Sequence, residues 1–235
     1  MSAPRQAGMV SVVIPCWNGE AYLEQALDSV LAQGHAPLEI IVCDDGSSDR
    51  SVAIALEHAP VVRVLEQEHE GAAAARNRAV ASARGEWLAF LDADDLWTPG
   101  RLARMLAALE QAPWPDLVLG RTEQFVTPEI EESMRSRFQF DPGPIAARLS
   151  GALIVRHDAF ERVGNFSTHL ATGEFVDWYL RAEELGLTSR VLEDLVLRRR
   201  LHGRNHGVVR QDARQDYLTV IRAALHRRRG TAGTS

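Results

Sequence analysis

The chain has 235 residues, a length that suits one α/β domain because single domains commonly reach about 250 residues. Its 46% hydrophobic and 25% charged residues are the balance of a folded globular protein rather than a disordered one. The net charge of −6, with no basic stripe before the C-terminus, excludes a general grip on nucleic-acid phosphates, so no nucleic-acid partner is expected.

Apolar runs and helical patterns alternate through the first half of the chain. Runs rich in β-branched residues predict buried strands at 10–15, 38–43, 61–65 and 87–91. Apolar side chains at helical spacing predict helices between them, at 21–32, 51–58 and 72–83. This alternation is typical of the α/β class and predicts a Rossmann-related three-layer α/β/α sandwich around a mostly parallel central sheet.

A polar segment follows each of the four strands, at 16–19, 44–49, 66–71 and 92–95. In an open α/β sheet, ligands bind outside the carboxyl ends of the strands. We therefore expect these four segments to line one crevice.

The second half of the chain continues the pattern less regularly. A polar stretch at 121–144 has weak periodicity, which predicts a mobile loop. The other predicted elements are a helix at 101–111, strands at 116–120, 151–155 and 191–201, and helices from Asp158, at 174–185 and at 211–229. This second block is too small to fold alone, so we expect one domain over residues 1–235.

The absence of lysine excludes two kinds of enzyme site. All 26 basic residues are arginine, so neither a Walker-type phosphate lysine nor a Schiff-base lysine is possible. Residues 1–8 lack the apolar core of a signal peptide, and no stretch approaches the ~20 apolar residues of a membrane span. Cys16 and Cys43 each end an apolar run, where buried reduced thiols are common. These features predict a soluble, cytoplasmic chain that is at most peripheral to a membrane.

A carboxylate cluster follows the fourth predicted strand. Asp92, Asp94 and Asp95 come directly after a run too apolar to be exposed. Like charges this close would force one carboxyl group to stay protonated unless a cation lies between them. Oxygen ligands suit Mg²⁺ or Mn²⁺, which keep open positions for substrate phosphates. The cluster predicts a divalent metal site held by at least two of these carboxylates; the alternative is a solvated acidic turn that caps the helix beginning near Pro99.

A second acidic pair, Asp44 and Asp45, follows the second predicted strand. One of these carboxylates could accept hydrogen bonds from a nucleobase or ribose, and Gly46 permits a tight turn. Because Asp-Gly-Ser is also a common turn sequence, the position of the pair opposite the metal cluster is what favours a binding role.

Four ordered segments, 11–18, 44–49, 71–77 and 85–95, resemble glycosyltransferase family 2, whose enzymes have the GT-A fold. The resemblance extends over residues 9–205. It implies an inverting, metal-assisted hexosyltransferase with a DXD motif that takes a nucleotide-sugar, expected to be a UDP-sugar, and passes the sugar to a carbohydrate, lipid-linked or peptide acceptor. It also divides the domain into a nucleotide-sugar-binding half at 9–115, an acceptor-side half at 116–210 and a C-terminal helix at 211–229.

The resemblance assigns one group of residues to the nucleoside of the donor. It implies that Pro15 and Trp17 line the nucleobase pocket. Asp45 would hydrogen-bond the base with Asp44 beside it, and Arg76 would close that side. The alternatives are a packed aromatic side chain for Trp17 and a surface ion pair for Arg76.

Other residues are assigned by the resemblance to the ribose, the diphosphate and the metal. Asp92 would lie near the ribose, and Asp94 would bind the metal that bridges the diphosphate. His202 would ligate the metal or donate to the diphosphate, which Arg200 or Arg204 could also hold.

The catalytic base is where the sequence departs from the family. The family's base is usually the aspartate of a Glu-Asp pair, and the matching residues here are Glu174 and Phe175. On a helix, Glu174 and Asp177 share a face, so either acid could substitute as the base. The alternative is that both are helix-start acids favoured by the helix dipole, with Asp177 paired to Arg181.

Two rival functions remain open at this point. A binding protein of the same fold that has lost catalysis would explain Phe175. A sugar nucleotidyltransferase usually needs a glycine-rich N-terminal loop and a phosphate-binding basic residue, and the turn at 15–19 has neither.

The C-terminal helix at 211–229 ends in three consecutive arginines. It is predicted to dock on the domain, with its arginines at the negative end of the helix dipole. The alternative is peripheral contact with an anionic membrane surface.

Overall fold

The computed structural model describes residues 5–127, 149–170, 172–202 and 213–232, and it describes the side chains of the last helix from 216 to 227. Its strands are β1 (Gln6–Cys16), β2 (Leu38–Asp44), β3 (Val62–Glu66), β4 (Gly85–Phe90), β5 (Leu96–Trp97), β6 (Leu117–Val126), β7 (Leu153–Arg156) and β8 (Ser189–Leu201). Its helices are α1 (Leu23–Leu31), α2 (Ser51–Leu56), α3 (Ala72–Ser82), α4 (Arg101–Leu109), α5 (His157–Val163), α6 (Glu174–Glu184) and α7 (Ala213–Ala232), with a 3₁₀ turn at Ser150–Ala152.

All of these strands belong to one sheet in the order β3-β2-β1-β4-β7-β6-β8-β5. Strands β3, β2, β1 and β4 are parallel neighbours, β7 is antiparallel to both β4 and β6, and β5 is antiparallel to β8. Since β6 and β8 are parallel, six of the eight strands run in one direction. The predicted mostly parallel sheet is confirmed.

The helices cover both faces of the sheet. Because side chains alternate along a strand, Val12 and Ile40 point into one core with α1, α2 and α4, while Val13 and Ile41 point into the other with α3, α5 and α6. Cys16 and Cys43 are free, buried thiols on opposite faces, and burial raises their pKa to about 12 and about 11. The predicted three-layer arrangement and the buried thiols are both confirmed.

Hydrogen bonds between side chains and backbone hold the amino ends of β1, β2 and β4 together. The Ser11 hydroxyl donates to Glu39 at 2.6 Å and accepts from the Gly85 N–H at 2.8 Å. Burial works against the charge of Glu39, but the donors of Ser11 and Arg84 outweigh it and hold its pKa below the usual value. A Cβ at Gly85 would lie 2.7 Å from the Met9 carbonyl oxygen and from Ser11, so only glycine fits between these strands.

The structure corrects the predicted loop at 121–144. Residues 121–126 continue β6 and pair with Leu195–Leu201 of β8. This part of the strand gives no apolar pattern in the sequence, because its polar side chains pair with residues of β8 that are also polar. These residues include arginine at 198, 199 and 200. The rest of the predicted loop, from 128, lies outside the described residues.

Candidate functional site

The polar segments after β1 and β2 are linked at the carboxyl edge of the sheet. The Asp45 N–H donates to the Cys16 carbonyl oxygen at 2.8 Å. Asn18, which has φ of 49°, donates from its N–H to the Ser47 hydroxyl at 2.8 Å and accepts from the Ser48 N–H at 2.9 Å. The two segments therefore form one connected wall, as the strand pattern predicted.

Asp45 organises the segment that follows β3. This buried carboxylate accepts from the Gln67 side chain at 2.7 Å, from the Glu70 N–H at 2.9 Å and from the Gly71 N–H at 2.8 Å. His69 Nδ1 lies 2.9 Å from its Oδ2 and 3.1 Å from its carbonyl oxygen. Both carboxylate oxygens of Asp45 are thus engaged by the protein itself.

Asp44 is different, because one of its oxygens has no such partner. Oδ2 accepts from the Ser47 N–H at 2.9 Å, whereas Oδ1 is buried and lacks a hydrogen-bond partner among the described residues. An unsatisfied buried acceptor costs roughly 1–3 kcal/mol. A ligand donor at this position would remove that cost.

Trp17 stands beside this acidic pair with 49% of its surface exposed. Its ring stacks on His69, with centroids 4.5 Å apart. Pro15 is buried at the end of β1, where it pairs in register with Cys43. An exposed tryptophan at the mouth of a crevice is a surface suited to an aromatic ligand.

The acidic cluster forms a turn directly after β4. The Asp95 N–H donates to the Asp92 carbonyl oxygen at 3.0 Å. Burial, together with the charges of Asp94 and Asp92, raises the pKa of Asp95 well above its usual range. Asp94 and Asp92 are only partly buried, so their carboxylates remain open to the crevice.

His202 reaches this cluster from the end of β8. Its Nε2 lies 2.8 Å from Asp94 Oδ2, and its ring lies 4.9 Å from that of Tyr22. The predicted approach of His202 to Asp94 is present in the fold. Arg204 lies outside the described residues.

The sequence suggested that Arg200 could hold the diphosphate, but its contacts lie behind the acidic turn. It is buried, and its guanidinium donates to the Asp94 carbonyl oxygen and to Gln25, each at 2.8 Å. Its backbone N–H donates to Asp95 at 2.8 Å. Arg200 therefore supports the acidic turn from behind.

Arg76 links the two halves of the domain. One guanidinium nitrogen lies 2.6 Å from Asp92 Oδ1, and the other lies 2.7 Å from Glu174 Oε1. Burial lowers the pKa of Arg76, but these two carboxylates more than offset it, and the pKa is raised above its usual value. Both Nη atoms of Arg76 are engaged by Asp92 and Glu174, and its expected place beside a nucleobase stays a prediction.

Glu174 and Asp177 have different partners although they share one helix. Asp177 is buried and lies 2.9 Å from Arg181 and 3.6 Å from Arg227 of α7. Arg181 in turn donates to backbone carbonyl oxygens beyond α5. The alternative weighed from the sequence, an ion pair between Asp177 and Arg181, is present in the structure.

Phe175 belongs to the core. It is 5% exposed, and its ring is stacked on Trp178 at 6.3 Å. Placing an unpaired carboxylate in this apolar cluster would be costly. The position that matches the family's base is therefore apolar in its surroundings as well as in its side chain.

The acidic turn offers carboxylate oxygens to a divalent metal. The described residues include no group of three or more His, Cys, Asp or Glu side chains arranged as a metal site. Mg²⁺ and Mn²⁺ commonly bind through one or two carboxylates and substrate phosphates. The partly exposed Asp94 and Asp92 fit that kind of site, in which the ligand completes the coordination.

Helix α7 packs beside α6. Val220 and Ala224 are buried, and Arg227 lies 2.6 Å from Glu184. The predicted docking of this helix is present in the fold. Within the part of the chain that is described, every helix is too short or too polar to cross a bilayer.

Sequence reasoning missed His69 and Gln67, which surround Asp45. The segment 66–71 was expected at the crevice, but histidine and glutamine in a polar loop give no signal of their own. Only the stacking on Trp17 and the contacts with Asp45 reveal their place.

Comparison with known proteins fits this arrangement. The family model "Glycosyl transferase family 2" matches residues 11–173. Chondroitin synthase of Escherichia coli is 27% identical over 236 residues, and the alignment covers 95% of this chain and 33% of the synthase. The chain therefore spans about a third of that curated relative.

Two solved structures have a similar fold. S. aureus TarS in complex with UDP-GlcNAc aligns with a TM-score of 0.72 and 21% identity, over 92% of this chain and 65% of TarS. The mannosyltransferase PcManGT from Pyrobaculum calidifontis, in complex with GDP-Man and Mn²⁺, aligns with a TM-score of 0.68 and 21% identity, over 95% of this chain and 66% of PcManGT. The chain spans just under two thirds of each structure.

Proposed function

The chain belongs to glycosyl transferase family 2 and has the GT-A fold, and from that premise we propose that it moves a sugar from a nucleotide-sugar to an acceptor. The transfer proceeds with inversion at the anomeric carbon and with the help of a divalent metal. The donor occupies the carboxyl edge of β1, β2 and β4, and the acceptor approaches from the side of α6.

The observation that carries this proposal is the bridge formed by Arg76. Its guanidinium holds Asp92 from the donor half and Glu174 from the acceptor half at 2.6 and 2.7 Å. A carboxylate from the second half therefore lies next to the acidic turn of the first. An inverting transfer needs this juxtaposition, because the acceptor must be deprotonated beside the donor's leaving group.

We assign the metal to Asp94, with Asp92 beside it. His202 contacts the Asp94 carboxylate. When bound, the metal acts as a Lewis acid that neutralises charge on the departing nucleoside diphosphate. Mn²⁺ in the complex of PcManGT with GDP-Man supports a divalent ion in this fold. For this chain, Mn²⁺ or Mg²⁺ is proposed.

We assign the role of catalytic base to Glu174 alone. The acceptor oxygen bonds to the anomeric carbon, the bond from that carbon to the diphosphate oxygen breaks, and the acceptor proton passes to the Glu174 carboxylate. Asp177 is not proposed for this step, because its partners are Arg181 of its own helix and Arg227 of α7, whereas Arg76 holds Glu174 beside the acidic turn.

Asp44 is the residue that we assign to recognition of the nucleobase. Its Oδ2 accepts from Ser47, and within the described part of the chain its Oδ1 has no partner. Uracil presents a single N–H between two carbonyl groups, whereas guanine presents two adjacent donors that call for both oxygens of a carboxylate. This difference favours a UDP-sugar, as does the complex of TarS with UDP-GlcNAc.

A second candidate function, nucleotide-sugar binding without catalysis, is favoured by Phe175.

The acceptor itself is a carbohydrate, a lipid-linked sugar or a peptide. We also propose a cytoplasmic location, with peripheral membrane contact through α7.

Hydrolysis of UDP-sugars without acceptor, measured with and without Mn²⁺, tests the proposal. Mn²⁺-dependent release of UDP is expected, and Asp94→Ala should lower it at least about 100-fold because charge on the leaving group is no longer neutralised. Asp28→Ala, which removes an exposed aspartate of α1, is the matched control and should retain full activity. GDP- and dTDP-sugars are assayed in parallel to identify the nucleotide.

One result would contradict transferase function, and another would contradict the metal site. Binding of UDP without hydrolysis, and without transfer to any acceptor of a broad panel, would leave the binding protein as the function. Hydrolysis that is unchanged in Asp94→Ala would contradict the assignment of the metal to Asp94.

A further inference from the structure

His69 presents ring surface at the edge of the crevice. Its ring stacks on Trp17 with an interplanar angle of 29°. Trp17 nevertheless remains 49% exposed and the His69 side chain 52% exposed. The pair is therefore an aromatic platform with open faces, and heteroaromatic rings of nucleotides stack on such surfaces.

The position of His69 is fixed by its neighbours. Nδ1 contacts Asp45 at both the carboxylate and the carbonyl oxygen. On either side of His69, Asp45 accepts hydrogen bonds from the Gln67 side chain and from the Glu70 N–H. Gly46 has φ of +76°, and a Cβ there would lie 3.2 Å from the His69 backbone nitrogen, so the loop packs directly on this turn.

The strand order places His69 at one end of the crevice. The loops lie in the order β3, β2, β1, β4, with His69 after β3 and the acidic turn after β4. Neighbouring strands are about 4.8 Å apart, so these two loops are separated by about 14 Å. A nucleotide whose phosphates lie at the acidic turn extends its base toward β2 and β3.

We propose that His69 is a nucleobase-contacting residue, that its imidazole and the Trp17 indole together form the surface on which the donor's base stacks, and that Asp45 is the positioning residue that holds the imidazole. This inference rests on the proposed function. It replaces the expected hydrogen bond between Asp45 and the base with an indirect role. Asp44 then recognises the edge of the base while His69 covers its face.

Calorimetric titration of the full chain with UDP tests the proposal without any need for turnover. His69→Ala should weaken UDP binding about tenfold, because one stacking surface is lost. His69→Phe keeps a ring and should remain within about threefold of the wild type. Pyrophosphate with Mg²⁺ has no base, so its affinity should be equal in His69→Ala and the wild type.

His58→Ala is the matched control. His58 is also paired with a carboxylate, at 3.2 Å from Glu24, but it lies at the end of α2, away from the crevice. UDP should bind this variant as tightly as it binds the wild type.

Three results would overturn the role of His69. The first is equal UDP affinity in His69→Ala and the wild type. The second is a parallel loss of UDP and pyrophosphate affinity, which would mean that the imidazole acts through the fold of its loop. The third is tighter binding by His69→Ala, which would mean that the ring competes with the base for Trp17. Failure of the wild type to bind UDP, GDP or dTDP would instead overturn the proposed function itself, together with the role of His69.

Discussion

At the scale of single residues, Glu174 and Asp177 are distinguished by partners far away in sequence, in addition to the local pair of Asp177 with Arg181. Their spacing puts both acids on one helical face, and the sequence offers no reason to choose between them. Arg76 of α3 pairs with Glu174, and Arg227 of the last helix approaches Asp177. Such long-range pairing is set by the assembled sheet and could not be predicted from local pattern.

Replacing each acid by its amide should separate their roles. Glu174→Gln keeps a hydrogen-bond acceptor for Arg76 but cannot take a proton, so turnover should fall about 100-fold or more while UDP affinity stays within about threefold. Steady-state kinetics and UDP titration measure both quantities.

Asp177→Asn is the companion variant. It weakens the ion pair with Arg181 and should lower the free energy of unfolding by about 2 kcal/mol, with turnover per folded molecule unchanged. Near-normal turnover in Glu174→Gln, or a large loss in Asp177→Asn, would reverse the assignment.

The acidic turn and the Asp44–Asp45 pair could be located from the sequence because each follows a buried strand. What the sequence could not show is how the carboxylates are used. The Asp45 carboxylate is saturated by the loop that follows β3, whereas Asp44 keeps one buried oxygen without a partner in the described residues. Adjacent residues on a strand end point to opposite sides, and only the third dimension shows what each side contains.

At the scale of elements, the strands and helices were predicted to within a few residues wherever apolar periodicity was strong. The misses have physical causes. Strand β5 has two residues and no periodicity to detect. Arg101, at the start of α4, is completely buried over the Trp97 ring and donates to the carbonyl oxygens of Gly151 and Leu153. Nothing in a local pattern marks an arginine for the core.

The start of α5 is joined to the start of β4 by His157, whose buried Nδ1 lies 3.0 Å from the Gly85 carbonyl oxygen. Burial holds the pKa of His157 below its usual value, against the opposing effect of that carbonyl group. The fold thus favours the neutral ring. Its contribution to stability is complete above the unfolded pKa of about 6.5 and is lost as the pH falls through the lower folded value.

Replacing His157 by a residue that does not titrate should make the free energy of unfolding depend less on pH below pH 7. His157→Asn retains a donor for Gly85 but does not titrate. Between pH 7 and pH 5, the free energy of unfolding of the wild type should fall more steeply than that of His157→Asn, by at most about 1.4 kcal/mol per pH unit. Urea denaturation at both pH values measures the difference, and equal slopes for the two proteins would refute the link.

At the scale of the whole molecule, charge is unevenly distributed. The chain carries a net charge of −6, yet residues 213–232 contain five arginines and one aspartate. The same helix exposes four large apolar side chains at 45–50%, namely Tyr217, Leu218, Ile221 and Leu225. A basic helix with an exposed apolar stripe is suited to the surface of an anionic bilayer.

Cosedimentation with vesicles tests this surface. The protein should bind phosphatidylglycerol vesicles at low salt and bind pure phosphatidylcholine vesicles at least about tenfold more weakly, since each arginine near an anionic surface adds about 1 kcal/mol. Ile221→Glu should abolish binding. Leu56→Glu alters a similarly exposed side chain of α2 and should have no effect. Binding to neither kind of vesicle would exclude the membrane contact, and equal binding to both would exclude the contribution of the arginines.

The order of the strands also bears on how the protein behaves at high concentration. The sheet ends at β5, which has two residues, and at β3, which has five and carries Arg63 and Glu66. Long, flat, uncharged edges are the templates on which sheets of separate molecules join. Here the long strands β1 and β6 are interior, and β8, which β5 covers only at Leu197 and Arg198, carries the charged residues Arg190, Glu193, Asp194 and Arg199. The sheet is therefore poorly suited to growth from one molecule to the next, and resistance to aggregation follows from the same order that assembles the crevice.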